Sequence, residues 1–258
     1  GSSQLHHSAS DEILKRMKIV GIIPARHASS RFPGKPLIDL KGKSMIQRVY
    51  EGAKKSSKLT QVIVATDDQR IFDEVVSFGG EVKMTSAEHR TGTDRCGEIA
   101  AQVAADVIIN IQGDEPLIDF RQLDALCESF EDETVTISTL GIKEVSEEDK
   151  SNPNRIKITL DHQGNALYFS RSAIPNQYHA KDGESDLFSF YRHIGVYAYR
   201  KLTLQELVKL KPTELEKIEA LEQLRWMYYG YKVRVVETVI ETPNIDVPED
   251  VVKVLDLL

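Results

Sequence analysis

Cysteine is nearly missing from this chain: Cys96 and Cys127 are its only two in 258 residues, and their spacing is that of neither a disulfide framework nor a zinc site. An excess of positive charge is also missing. With 33 Lys and Arg against 40 Asp and Glu, the formal net charge of −7 removes the broad electrostatic footprint of a nucleic-acid binder. No apolar run approaches the roughly 20 residues of a membrane span, and no leader pattern precedes the first apolar strand, so a cytoplasmic location without a membrane partner is expected. Several catalytic and nucleotide-binding signatures are absent too. There is no Gly-x-x-x-x-Gly-Lys-Ser/Thr, no Gly-x-Gly-x-x-Gly, no Gly-x-Ser-x-Gly and no His-Glu-x-x-His, which removes support for P-loop hydrolysis, dinucleotide binding, acyl transfer and zinc hydrolysis. Residues 1–17 open without Met and read as an expression remnant and lead-in, so His6 and His7 are set aside.

The remaining composition, 41% hydrophobic, suits one ordinary folded core. Apolar, β-branched runs at 19–23, 62–65 and 107–111 alternate with helical patterns, which predicts parallel strands joined by crossover helices. Ile46, Val49, Tyr50 and Ala53 share one helical face, as do Ile71, Val75 and Phe78 before Gly79-Gly80. Asp119 marks a further helix start. From Thr134 onward the strands shorten and alternate, at 134–140, 155–160, 166–169, 194–199 and 232–237. Residues 175–190 form a polar connection suited to a lid or partner contact. Thr213-Glu-Leu-Glu216 is a capping box for a long helix expected to run to Gly230, with Leu215, Ile218, Leu221 and Leu224 on its core side. The fold class expected is α/β: Rossmann-like, with a mixed sheet and a smaller antiparallel extension. Residues 18–258 read as one domain, with 18–133 and 134–258 as its halves.

Against the acidic background, residues 24–36 carry Arg26, Arg31 and Lys35 and no acid. This loop follows an apolar strand, the edge where open α/β sheets bind ligands, and its cations and the Ser29 and Ser30 hydroxyls suit a small polyanion such as a nucleoside triphosphate. A solvated loop is the plain alternative. Asp114 follows another strand through Gln112-Gly113, and Asp246 follows the last one; each alone reads equally as a turn or cap residue. Together with substrate phosphates they would suit magnesium, which keeps part of its water. Thr91-Gly-Thr-Asp-Arg95 opens a helix that could take an anion or a sugar hydroxyl, or be simply capped. Asp67 has a similar double reading. Arg171 ends a strand and suits a carboxylate clamp, His193 suits a hydroxyl contact or a structural bond, and Glu219, Glu222 and Gln223 share a polar helical face.

Seven blocks, taken in order, resemble one family. They are Ile22-Ile-Pro-Ala-Arg26, Ser30-Arg-Phe-Pro-Gly-Lys-Pro36, Val64-Ala-Thr-Asp67, Asn110-Ile-Gln-Gly-Asp-Glu-Pro116, Ala166-Leu-Tyr-Phe-Ser-Arg171, His193-Ile-Gly-Val-Tyr197 and Leu221-Glu-Gln-Leu-Arg225. From about Lys18 to the carboxyl terminus the chain is similar to the 3-deoxy-D-manno-octulosonate (Kdo) cytidylyltransferases. That resemblance implies a nucleotidyltransferase fold, a cytoplasmic homodimer, CTP and Kdo as substrates, and Mg2+ as cofactor. It implies a nucleotide-binding half at 18–133, with sugar binding and dimerisation mainly in 134–258. It also implies that Arg26, Arg31 and Lys35 take the triphosphate and that Pro24, Ala25, Asp67, Thr91 and Gly92 surround the cytidine. Gln112 is implied beside both substrates, Asp114 and Asp246 on the metal, and Arg171, His193, Tyr197, Glu222 and Gln223 on the sugar acid. Arg26, Lys35, Asp114 and Asp246 are the implied catalytic group. Val247 departs from the family's usual Thr before Pro-Glu-Asp, so the last helix loses a side-chain cap and Asp246 is expected to be held differently. A cytidylyltransferase for another acidic sugar and a non-catalytic binding module on the same fold remain the alternatives.

Overall fold

Period-two alternation along the first strand already divides the interior in two: Ile19 and Ile23 enter one apolar cluster, Val20 and Ile22 the other. The computed structural model describes residues 9, 11–143 and 145–258; His6 and His7 lie outside the described residues. Its strands are β1 (Ile19–Ala25), β2 (Asp39–Leu40), β3 (Lys43–Ser44), β4 (Gln61–Thr66), β5 (Val82–Met84), β6 (Val107–Asn110), β7 (Ile137–Ile142), β8 (Lys157–Leu160), β9 (Ala166–Ser170), β10 (Tyr191–Arg200) and β11 (Arg234–Thr238). Nine of them form one sheet in the order β11-β7-β10-β6-β1-β4-β5, with β8 and β9 branching from β10, while β2 and β3 make a separate small hairpin. β1 pairs in parallel with β4 and β6, β4 with β5, and β7 with β11, whereas β10 runs antiparallel to both β6 and β7. The carboxyl ends of β1, β6, β7 and β11 therefore share one edge.

Helices cover both faces. Met45, Ile46 and Val49 from Met45–Lys54 pack with Leu123 and Leu126 from Phe120–Ser129 on one side. Cys96 and Ile99 from Gly92–Ala100 pack with Leu204, Leu224 and Trp226 on the other. Each such fully buried aliphatic chain contributes about 1.5–3 kcal/mol relative to exposure. Both cysteines are buried and free, and burial pushes the Cys127 thiol up to about 12, so neither is a nucleophile at neutral pH. Among the described residues no helix is long and apolar enough to cross a membrane.

The α/β reading and its antiparallel extension stand, although the extension is continuous with the main sheet through β8 and β10. Asp119 caps the helix expected after it. The single long helix from Thr213 does not form. Its capping box is present, but the helix stops at Glu219, Ala220 takes the left-handed conformation (φ 52°), and a second helix spans Gln223–Tyr228. Sequence gave no warning of this break, because left-handed stops favour Gly or Asn over Ala. One consequence corrects the expected core: Leu221 and Leu224 are buried, while Leu215 and Ile218 stand 37% and 83% exposed.

Glu216, buried at the start of the first of these helices, accepts Arg225 Nε at 2.7 Å and Nη2 at 2.9 Å, and the Thr213 N–H at 2.6 Å. Burial alone would raise its carboxyl, but Arg225 and Thr213 outweigh that and hold it below the usual range. Its contribution to stability is thus present above the ordinary carboxylate pKa and disappears as pH falls through the lowered one. Glu216→Gln is expected to lower stability by about 1–3 kcal/mol at pH 7, with the gap from wild type closing toward pH 3 in urea titrations.

Candidate active site

At the edge shared by the carboxyl ends of β1 and β6 lies a cavity of about 410 Å³, within the range that holds a small ligand. The loop after β1 supplies one wall. Gly34, left-handed at φ 73°, donates its N–H to the His27 carbonyl at 2.9 Å, closing the turn over the His27 ring. Phe32 packs into the core as the loop's anchor, and its N–H reaches Ser29 Oγ at 3.3 Å. This holds Arg26, Arg31 and Lys35 around the cavity. Arg26 and Arg31 are exposed, and among the described residues neither has an ion-pair partner, whereas Lys35 Nζ lies 3.7 Å from Asp114 Oδ2. Cations so gathered on an acidic protein create a local positive potential suited to an anion.

The second wall comes from the turn after β6. Gly113 is required there by close approach, since a Cβ would stand 3.0 Å from the Pro24 carbonyl oxygen. Gln112 and Asp114 face the cavity, and so does Asp246. The Ile245 N–H donates to the Asp114 carbonyl at 2.8 Å, so one backbone bond ties the two aspartate segments together. Val247 has no side-chain cap to offer, as the sequence implied. The last helix indeed has no side-chain cap; Asp250 at its start instead reaches back, its Oδ2 accepting the Asp246 N–H at 2.9 Å and the Val247 N–H at 3.1 Å. The Asp246 carboxylate accepts Asn244 Nδ2 at 3.0 Å.

Burial raises the Asp114 carboxyl to about 6; Lys35 lowers it and the neighbouring Asp246 raises it further. Glu115 is pushed up to about 8 by burial and by Asp114, and accepts a 3.4 Å bond from Thr242 Oγ1. Two carboxylates held close against their mutual repulsion fit a divalent cation. Among the described residues no cluster of three or more His, Cys, Asp or Glu can hold a metal by itself, so a cation here would need further oxygen ligands beyond the two carboxylates.

Thr91 and Gly92 face the same space from the start of the Gly92–Ala100 helix; Thr91 Oγ1 caps it by accepting the Asp94 N–H at 3.1 Å. Pro24 and Ala25 line the floor. Arg95, whose motif suggested an anion contact, is buried and donates to Thr85 Oγ1 at 2.5 Å and Ser86 O at 3.1 Å. On the far side stand Tyr197 and Glu222. Burial raises both groups, with Thr93 and Arg225 opposing it at Glu222, and the Tyr197 hydroxyl stays protonated.

Four predicted site residues do not reach this cavity wall. Asp67 sits half-buried at the end of β4, next to Asp68, which caps the following helix. Gln223 is buried outside the wall. His193 bonds Thr139 Oγ1 through Nε2 at 2.8 Å, lies 5.4 Å from the Tyr197 ring and, its pKa pushed down to about 3 by burial, is neutral. Arg171 donates from Nε to the Glu219 carbonyl at 2.6 Å, from Nη1 to Pro153 at 2.8 Å and from Nη2 to Ala220 at 3.0 Å, which leaves one N–H on each terminal nitrogen. Conversely, Asn110, His89, Arg90 and Trp226 line the cavity without having been singled out. Asn110 opens the block that carries Gln112 and Asp114, and in the folded wall its buried Oδ1 has no partner.

Ionising Asp114 costs folding free energy in the ligand-free protein, because its folded pKa exceeds its ordinary one. The penalty is absent at pH 3, grows as pH rises from the ordinary carboxylate range toward about 6, and is complete above that. Asp114→Asn should therefore raise ligand-free stability by about 1–3 kcal/mol at pH 8 and confer no such gain at pH 3, measured by thermal unfolding in chelator.

Residues 20–237 match the family model described as Cytidylyltransferase. The 3-deoxy-manno-octulosonate cytidylyltransferase of Geobacter metallireducens is 46% identical over 252 residues, covering 94% of this chain and 98% of that protein. Its counterpart in Parabacteroides distasonis is 49% identical over 249 residues, with 94% and 98% covered. A solved CMP:2-keto-3-deoxy-manno-octonic acid synthetase complexed with CTP superposes with a TM-score of 0.87 at 41% identity, covering 93% of this chain and 98% of that one. A 4-diphosphocytidyl-2C-methyl-D-erythritol synthase from Anaerococcus prevotii shares the fold, with a TM-score of 0.62 at 13% identity. The chain belongs to the cytidylyltransferase family, in the branch formed by the 3-deoxy-manno-octulosonate enzymes.

Proposed function

We propose that the protein transfers CMP from CTP to the anomeric 2-hydroxyl of Kdo, giving CMP-Kdo and pyrophosphate. The observation that carries this reading is the joining of Asp114 and Asp246 beside Lys35 in one cavity, with Arg26 and Arg31 on one wall and Tyr197 and Glu222 on another. The sugar hydroxyl oxygen forms the new bond to the α-phosphorus, the bond from that phosphorus to the bridging oxygen breaks, and the electron pair leaves with pyrophosphate. The hydroxyl proton is released, and no covalent enzyme intermediate is needed.

Nucleotidyl transfer is governed by alignment and charge stabilisation. Arg26 and Arg31 draw the triphosphate into the basic loop, and Lys35 places its ammonium on the phosphate oxygens that gain charge. Pro24, Ala25, Thr91 and Gly92 offer the nucleoside a rigid floor of backbone groups, with Asp67 at its outer end. Asp114 and Asp246 would hold Mg2+, which when bound offsets phosphate charge and lowers the pKa of an adjacent hydroxyl. Gln112 stands between the substrates. Tyr197 and Glu222 read sugar hydroxyls, a discrimination that buried polar groups perform well. Neutral His193 packs against the Tyr197 ring, and Gln223 follows Glu222 directly in the chain as a further polar group for the sugar. Arg171, outside the cavity wall, keeps one N–H on each terminal nitrogen, and these would meet the sugar carboxylate where the sugar acid extends past Glu222.

The same reading includes a cytoplasmic homodimer supplying activated Kdo for lipopolysaccharide. Tyr178, Leu187 and Ile218, exposed at 84%, 88% and 83%, support an interface in the second half. Mixing CTP, Kdo and magnesium chloride with the protein should release pyrophosphate, and replacing Kdo by a sialic acid should reduce that release at least about a hundredfold. No release with Kdo sinks the proposal. Asp114→Asn should lower turnover on the order of a hundredfold while the fold is retained, checked by steady-state kinetics beside circular dichroism.

A further inference from the structure

Lys157 stands out among buried charges. It lies on β8 with no solvent exposure, and among the described residues no carboxylate forms an ion pair with it. Its ammonium instead donates all three hydrogens to carbonyls, those of Asn152 at 2.9 Å, Arg155 at 2.6 Å and Arg171 at 2.6 Å. Burying an ammonium costs several kcal/mol unless its donors are all used, and here all three are used on carbonyls that an apolar chain would leave without that donor.

The three carbonyls share a location. Asn152 and Arg155 bracket Pro153, whose carbonyl receives Arg171 Nη1 at 2.8 Å, and the third is the carbonyl of Arg171 itself. Lys157 thus grips Arg171 from both its backbone and its side-chain partner. From there Nε and Nη2 of Arg171 reach the Glu219 and Ala220 carbonyls, at the left-handed break that turns the chain before Glu222 enters the cavity wall. Ala220 pays a strain of about 1–2 kcal/mol for φ 52°, so that break needs an external hold.

We infer that Lys157 is a positioning residue for the sugar-acid side of the active site, acting through Arg171 and the Ala220 break to set Glu222. This rests on the functional reading above. It concerns a lysine that touches no substrate, and it separates the two substrates: nothing in the relay contacts the basic loop after β1.

The test is Lys157→Met, which keeps the stem and removes the donors. Its KM for Kdo should rise at least about tenfold, equivalent to about 1.4 kcal/mol, while its KM for CTP stays within about twofold of wild type. Amide hydrogen exchange of residues 221–224 should accelerate at least about tenfold relative to residues 96–100. Lys157→Arg serves if the Met variant fails to fold, because a planar guanidinium cannot cap three converging carbonyls as an ammonium does; it should show the same selectivity. A folded variant with unchanged KM for Kdo, or with both KM values raised equally, overturns the inference. Should the wild-type protein prove inactive on CTP and Kdo, the functional reading fails separately, and the exchange measurement still decides whether Lys157 sets residues 221–224.

Discussion

A single backbone bond, from the Ile245 N–H to the Asp114 carbonyl, organises the catalytic edge. It joins the segment after β11 to the turn after β6, and so brings together two carboxylates that would otherwise repel each other apart. Much of the surrounding structure serves that approach. Gly113 lets the turn sit against Pro24, Asp250 accepts the Asp246 and Val247 amides, and Lys35 supplies the nearest compensating charge. The result stores electrostatic cost at the reactive edge, visible in the raised Asp114 and Glu115 carboxyls, the usual exchange of stability for a prepared site.

Much of this was legible in the chain itself, for identifiable reasons. Apolar runs at 19–23, 62–65 and 107–111 became parallel strands because strands buried on both faces leave continuous hydrophobic signatures. The capping boundaries at Asp119 and Thr213 were readable because they depend on a local side-chain bond. The basic loop was conspicuous against an acidic background, and Val247 signalled that the last helix would lack a side-chain cap.

What was hidden depends on contacts between distant residues. Ala220 carries none of the usual markers of a helix stop; its conformation is sustained by carbonyl bonds from Arg171, far away in sequence. The periodic run Leu215, Ile218, Leu221, Leu224 looked like one core stripe, but the break rotates its first half outward. Arg171 looked free to clamp an anion, whereas three of its donors are committed to the backbone. Asn110 was passed over because its significance lies in an unsatisfied oxygen, a property of the folded wall.

The pairing of β10 has a further mechanical meaning. That strand is bonded to β6 on one side and to β7 on the other, so the two halves of the chain are stitched through a common ladder. A hinge opening between them would have to tear those rungs, at a cost no small ligand could repay. The spacing between the basic loop after β1 and the wall bearing Tyr197 and Glu222 is therefore set by a continuous ladder and not by a movable joint.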